Sequence, residues 1–335
     1  MTTSDGATGA DGEIPIIDIA AFRAGEPGAR ERCAAALRHA YEDVGFWFVT
    51  GHAIAPELVA AMFREAARFH ALPLEAKLAL RIDEHNIGYM PYRGATTRHS
   101  TLSQGNRPNL NAAYFLKRDL APDHPHVRAN RKFRGLNRWP AGLPGFRETA
   151  LAYCAALEAL ATALLPIYAT ALDLPPDHFS AAFDDPQITL RLSHYPAVPR
   201  FEDNEFSLAP HVDTSFMTLL AQNEIPGLSL LTRSGRWIEA PAIAGAFLVN
   251  SGEMLRRWSN ERFIATPHRV FNRSGRDRYA IPFFFDCNVD HVMRCLPSCT
   301  GPDRPERYPP FTYTEYMSWY QRQNYDHARQ PAAAT

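Results

Sequence analysis

Between residues 188 and 286 the chain breaks into eight short runs of apolar or alternating character, separated by turns rich in Gly, Pro and Asn. The runs span residues 188–195, 209–213, 216–221, 228–232, 236–239, 246–249, 269–273 and 278–286. Short strands at this spacing predict a jelly roll or barrel. At 335 residues the chain has room for one large β domain with helical additions or for two ordinary domains, and length alone does not choose.

The preceding half reads differently. Residues 1–13 are small, polar and Gly-rich, and a disordered tail is expected there. Ile14 to Asp18 reads as a short strand. A helix is expected from Arg30 to Val44, ended by Gly45, and then the strand Phe46-Trp47-Phe48-Val49. Further helices are predicted from Pro56 to Leu72 and from Glu75 to Ala79. Residues 85–111 are polar and aperiodic, and a loop of that length in a compact domain carries function or moves. Its Tyr89, Tyr92, Arg93 and Arg98 are candidates to face a ligand.

The Ala-rich stretch from Leu143 to Leu174 is apolar enough to raise the question of a membrane span, yet it contains Glu158 and Pro166. A buried helix backing a sheet is the better reading, with Pro166 bending or splitting it. Tyr and Trp at helical spacing from Tyr313 to Tyr325 predict a closing helix. The chain is thus divided into a tail (1–13), a helical and strand region (14–175), the roll (176–300) and the closing helix with its tail (301–335). The second and third need not be separate domains, because the long helix can cover the outside of the roll.

Lys plus Arg number 35 against 36 for Asp plus Glu, so no net field favours nucleic acid or a charged membrane surface, and neither is expected as a partner. The five Cys are odd in number, and no charged segment followed by an apolar one opens the chain. Reduced thiols in the cytoplasm are expected. The Cys295-x3-Cys299 pair lacks two further ligands that a zinc site needs.

Chemistry concentrates in the β region. His211-Val212-Asp213 is followed by a second His, His268, 55 residues after the Asp, and by Arg278 ten residues later. Residues two apart on a strand point the same way, so His211 and Asp213 project together, and His268 must come from a distant strand. Two His and one carboxylate bind Fe(II) on one face and leave positions open. On the last run, Arg278, Ala280, Phe284 and Asp286 share a face, and the turn Asn272-Arg273-Ser274-Gly275 is expected to fold this strand back on the one after His268. A guanidinium offers a planar, permanently charged fork to a dicarboxylate. On Leu190-Arg191-Leu192-Ser193-His194-Tyr195, the odd positions Arg191, Ser193 and Tyr195 offer a cation and two hydroxyls to a polar pocket.

These landmarks, together with IPIIDI, GFWFVTGH, LRLSHYP, PGLSLL, RWIEAP, FLVNSGEMLRRWSN, TPHRV and RYAIPFFF, come in an order that resembles the isopenicillin N synthase-like family of non-haem Fe(II) and 2-oxoglutarate-dependent oxygenases over nearly the whole chain. The resemblance implies an α+β, mainly β fold with a distorted double-stranded β-helix core and helices packed outside. It implies iron on His211, Asp213 and His268, with the distal carboxylate of 2-oxoglutarate on Arg278, assisted by Tyr195 and Ser193. O2 would be the oxidant, and hydroxylation of a small molecule with release of succinate and CO2 the default outcome. The chain departs from the family at Ala280, where a Ser is usual, and at Ser193-His194, where an Asn precedes the Tyr pair. The missing hydroxyl removes one hydrogen bond, worth about 0.5–1.5 kcal/mol.

Arg191, Phe206, Phe284 and Asp286 are the expected substrate contacts, joined by Tyr89, Tyr92 and Arg93. Such a mixture of aromatic and charged groups suits a small organic molecule with a polar handle. Two other readings keep the scaffold: an iron oxidase that works without 2-oxoglutarate or with ascorbate, to which Ala280 lends weight, and a non-catalytic binding protein, which an intact triad argues against.

Overall fold

The computed structural model describes residues 13–100, 102–103, 105–325 and 328. Apart from Glu13, the expected N-terminal tail lies outside the described residues. The chain enters through β1 (Ile16–Asp18), which pairs in parallel with β2 (Phe46–Thr50). Between them run α1 (Ala20–Arg23) and α2 (Ala29–His39), the latter continuing as a π-helical turn over Ala40–Val44. Gly45 ends that turn at φ +77°, and a Cβ there would overlap the Thr266 side chain. Only glycine combines that conformation with that approach.

Pro56, preset for a first helical turn, starts α3 (Pro56–Ala71), and α4 (Leu74–Leu78) follows. Two strands come next, β3 (Gly88–Met90) and β4 (Ala112–Lys117). The sequence reading held β3 within a loop and made no strand of β4. After α5 (Pro125–Arg128), α6 (Phe146–Ala171) runs unbroken through Pro166, so the expected split does not occur. One side of α6 places Tyr153, Leu157, Ala161, Leu164 and Tyr168 in the core. Glu158, on its rim, is neutralised by Arg118 at 2.6 Å. By length and composition this helix passes for a membrane span, but half of the relevant window is buried inside the protein.

The roll comprises β5 (Gln187–Tyr195), β6 (Leu208–His211), β7 (Met217–Gln222), β8 (Leu228–Leu231), β9 (Trp237–Glu239), β10 (Phe247–Asn250), β11 (His268–Val270) and β12 (Arg278–Asp286), within a residue or three of the predicted runs. They sort into two sheets. The larger has the order β1-β2-β10-β7-β12-β5-β4-β3, and the smaller β6-β11-β8-β9. The turn at 272–275 therefore carries the chain from the small sheet to the large one, because β12 pairs with β5 and β7 and not with β11. Between β10 and β11 sits α7 (Glu253–Trp258); a short ribbon of β13 (Val292–Met293) and β14 (Phe311–Thr312) leads into α8 (Tyr313–Asn324). That last helix starts with a capping box, the Thr312 hydroxyl accepting from Glu315 N–H while the Glu315 carboxylate accepts from Thr312 N–H.

Period two on β12 divides the core. Ile281, Phe283 and Phe285 face outward and pack under α6 and α3, each stabilising the fold by roughly 1.5–3 kcal/mol if fully buried. The helices and the outer face of the large sheet share that one cluster, so the N-terminal region and the roll have a common core. Inside the roll, Phe46, Tyr195, Leu228, Val270 and Ala280 form a second cluster at one end.

Gly45 gives the first test. Gly45→Ala combines a left-handed backbone penalty of about 1–2 kcal/mol with overpacking against Thr266 of about 1–3 kcal/mol. Gly25→Ala, at φ +73° with open space around it, should incur only the first. Urea unfolding of both variants checks this; equal losses would show that the Thr266 approach does not matter.

Candidate metal and cosubstrate site

His211 ends β6 and His268 begins β11, and the antiparallel register sets them directly opposite each other, with ring centroids 4.3 Å apart. The second His thus comes from the neighbouring strand of the same sheet. Each ring hydrogen-bonds through Nδ1 to the carbonyl two residues earlier, His211 to Ala209 at 2.9 Å and His268 to Thr266 at 3.2 Å. With Nδ1–H as the donor in each, Nε2 keeps its lone pair for a ligand. The Asp213 Oδ1 lies 3.7 Å from both Nε2 atoms, and the three ligand atoms fall within 4.8 Å of one another.

Asp213 stands just beyond β6, held from the other sheet. Its Oδ2 accepts from Thr218 Oγ1 at 2.7 Å and Asn250 Nδ2 at 2.8 Å, residues paired across β7 and β10. Its carbonyl accepts from Glu253 N–H at 2.8 Å at the start of α7, and Gly252 lets that helix approach, since a Cβ would collide with the backbone of Asp213 and Ser215. Burial pushes the Asp213 carboxyl up, but the two imidazoles and the two donors outweigh it and hold it below the usual range. Burial, with His268 alongside, pushes His211 down to about 3, so the imidazole is neutral. Two imidazoles and one carboxylate on one side of a cavity are the donor set of a non-haem Fe(II) centre. Among the described residues this is the one cluster with metal-binding geometry.

Two cavities meet at the triad. One, of about 470 Å³, is walled by Phe46, Leu220, Leu228 and Val270 and ends at Arg278 and Tyr195. Arg278 is 1% exposed, donates from Nε to the Ile225 carbonyl at 3.1 Å and from Nη2 to Gln222 Oε1 at 3.2 Å, and leaves Nη1 buried without a partner. It has no ion-pair partner among the described residues. Burial pushes this guanidinium below its usual range, opposed by Tyr195, whose ring lies 5.1 Å away. A buried fork with a spare N–H and no carboxylate fits an incoming carboxylate. Ala280 lines the same cavity. Ser193 does not: it lies between Ala280 and Ala113 on the adjoining strands, fully buried, its hydroxyl unpartnered.

The other cavity, about 760 Å³ with its mouth, includes Arg191, Phe284 and Asp286 as expected. Four expected substrate contacts fall elsewhere. Phe206 precedes the first paired residue of β6, so alternation does not extend to it, and its ring packs on Phe271 at 5.0 Å. Tyr89 faces the helical side of β3, against Phe69 and His70. Past Met90 the chain turns outward, leaving Tyr92 exposed and Arg93 paired with Glu205 at 3.0 Å. The long loop instead contributes Asn86, Thr96, Thr97 and Asn109, tied to α8 by Thr96 N–H on the Asn324 carbonyl at 3.2 Å.

Lys117 and Thr189 of the cavity floor, and Tyr313 and Tyr320 of the closing helix, were not anticipated. The signal lay in Ala-Tyr-Phe-Leu-Lys, where Phe115 and Lys117 alternate beside Arg191 and Thr189. Lys117 is 3% exposed and donates to Thr189 Oγ1. Burial pushes it down to about 7, partly opposed by Asp286, and burial likewise pushes the Asp286 carboxyl up to about 7 although Phe216 N–H donates to it at 2.7 Å.

Residues 14–142 match the family described as "non-haem dioxygenase in morphine synthesis N-terminal", and residues 186–286 match the "2OG-Fe(II) oxygenase superfamily". The 2-oxoglutarate-Fe(II) type oxidoreductase hxnY of Emericella nidulans is 35% identical over 322 residues, 94% of this chain and 91% of that one. Kihadalactone A synthase LFS of Citrus sinensis is 32% identical, covering 94% of each chain. Among solved structures, a full-length Neurospora crassa protein in complex with alpha-KG and thymine superposes with a TM-score of 0.80 at 26% identity, over 92% of this chain and 96% of that one. The rice dioxygenase for auxin oxidation gives 0.72 at 27% identity, over 92% and 94%.

Two outcomes follow from the site's geometry. Asn250→Ala or Thr218→Val should weaken Fe(II) binding about 10–100-fold by freeing the Asp213 carboxylate, whereas Asp213→Ala should abolish it, as read by anaerobic equilibrium dialysis. Lys117→Met should raise the urea midpoint. With a folded pKa near 7 and an unfolded one of 10.5, the lysine destabilises fully below pH 7 and progressively less as pH rises to 10.5. The gain should therefore shrink from pH 7 to pH 10; a gain flat with pH would mean that burial of the charge is not its cause.

Proposed function

The chain belongs to the 2OG-Fe(II) oxygenase superfamily, in the isopenicillin N synthase-like family, and on that premise we propose how its residues divide the work of a 2-oxoglutarate-dependent dioxygenase acting on a small organic molecule. His211, Asp213 and His268 hold the iron. Arg278 takes the distal carboxylate of 2-oxoglutarate, with Tyr195 against it, and the apolar walls between them and the triad exclude water. When bound, Fe(II) with 2-oxoglutarate and O2 supplies the oxidising power, and succinate and CO2 leave. Hydroxylation is the proposed outcome for the substrate.

The observation that carries this assignment is Arg278: a guanidinium buried without a counter-ion, closing a cavity whose other wall is the triad. Arg191, Phe284 and Asp286, with Lys117 and Tyr313, face the substrate from the second cavity, and α8 covers it. The relatives point to small cyclic ligands, thymine in the Neurospora crassa complex and auxin in the rice enzyme, and a ring of that size suits this cavity. We also place the protein in the cytoplasm, a reading supported by five free thiols, four of them buried.

Anaerobic titration of the Fe(II) protein with 2-oxoglutarate, followed by its weak visible charge-transfer absorption, tests the assignment. A saturable band is expected. Arg278→Gln should weaken 2-oxoglutarate by at least 30-fold, about 2 kcal/mol or more for a buried charged pair losing one partner. Ala280→Ser, which returns a hydroxyl to the cosubstrate wall, should tighten it by about 2–10-fold. Unchanged affinity in Arg278→Gln would remove the carboxylate role from that residue.

A further inference from the structure

The substrate cavity is more cationic than its aromatic lining suggests. On the inner face of the large sheet, Arg191 pairs with Phe115 and Thr189 with Lys117 across β5 and β4, while Thr189 pairs with Phe284 on β12. Toward the cosubstrate end of β12 lies Arg278; toward the other end lies Asp286. Arg191 stands between, on the wall shared by both cavities.

Arg191 has no ion-pair partner among the described residues. Its Nε is buried without a hydrogen bond, and the guanidinium lies over the Phe115 ring at 5.3 Å. That contact holds the guanidinium beside the ring without using its N–H groups, which are left for a ligand. Deeper in, Lys117 donates to Thr189 and keeps two further N–H groups. Asp286 uses Oδ1 for the Phe216 N–H and keeps its other oxygen. Lys117 and Asp286 do not form an ion pair with each other, so each retains hydrogen-bonding capacity toward the cavity. Asn86 Oδ1, also on this wall, is buried and unpartnered. Two basic side chains thus face one carboxyl group, and Asp213 is engaged by the triad.

We propose that the substrate is a small ring-bearing carboxylate, its carboxylate on Arg191 and a polar edge of its ring between Lys117 and Asp286. The inference rests on the oxygenase reading and narrows its substrate class. A neutral ring would leave Arg191 desolvated and unpaired beneath α8, which is costly. A purely aliphatic acid would leave the spare groups of Lys117 and Asp286 unmet.

The test is calorimetric titration of the anaerobic protein loaded with Fe(II) and 2-oxoglutarate, with 4-hydroxybenzoate, 4-hydroxybenzamide and benzoate as probes. The acid should bind at least tenfold more tightly than its amide, and about threefold or more tightly than benzoate. Arg191→Gln should erase the acid-over-amide preference, and Lys117→Met should erase the advantage over benzoate while keeping the preference for acid over amide. Equal binding of acid and amide, binding of none of the three, or a preference that survives Arg191→Gln would overturn the proposal. The visible 2-oxoglutarate band reports the oxygenase reading separately: its loss counts against that reading, whereas the acid-to-amide ratio counts only for or against the substrate class.

Discussion

Asp213 is the joint on which the site depends. Its carboxylate belongs by sequence to the small sheet, next to His211, yet Oδ2 is bound by Thr218 and Asn250 of the large sheet, and its carbonyl is capped by α7. One carboxylate therefore registers the two sheets against each other and aims its free oxygen at both imidazoles. A buried carboxylate with fewer partners would protonate or drag water in, and the sheets would lose their common reference. The Asn-Ser-Gly-Glu segment at 250–253 supplies three of the parts: an amide donor, a glycine without a Cβ, and a backbone N–H.

Three basic side chains are distributed along the inner face, and on the proposed reading each meets a different group: Arg278 the cosubstrate carboxylate, Arg191 the substrate carboxylate and Lys117 a polar edge of the substrate ring. Arg278 is buried at the closed end, Arg191 sits half-buried at the junction, and Lys117 lies on the floor of the second cavity. None has a carboxylate in contact. Unpaired cations withdrawn from water destabilise a protein in isolation, so their retention on one face is a cost to folding that the proposed ligands would offset. The outer face of the same strands does the opposite. Leu190, Leu192, Ile281, Phe283 and Phe285 carry no polar atoms on their side chains and join α6 in the main cluster.

That separation explains what the sequence revealed and what it hid. Alternation on Arg278 to Asp286 and on Leu190 to Tyr195 was legible because each strand has one apolar face, and the triad was legible because His-x-Asp forces two ligands to the same side. Pairing was not legible. Nothing in the local pattern says that His268 lies across from His211 in one sheet, or that residues 272–275 cross between sheets, because register is set by tertiary packing. Ala112 to Lys117 escaped because all six residues are buried, so the strand lacks the polar alternation that marks a half-exposed one. Tyr92, Arg93 and Phe206 were misplaced because they lie outside the paired strands, where alternation no longer sets the face, and Tyr89 because the strand that turns it toward the helices was read as loop.

The second cavity also shows why substrate choice is harder to read than chemistry. The metal ligands His211 and His268 sit opposite each other on β6 and β11, and Arg278 and Tyr195 opposite each other on β12 and β5, so backbone pairing fixes the spacing within each pair. The substrate wall instead assembles β4, β5, β12, a loop tied at Thr96 and Asn109, and a helix more than a hundred residues further on. Each strand contributes two side chains and the loop and the helix several each, and none is constrained by the geometry of iron. Such a wall can change its charge one residue at a time while the triad and Arg278 stay fixed. Lys117 illustrates the consequence: an amine buried at a position where the fold alone would be better served by an apolar side chain fits the proposed role in recognition, not one in packing.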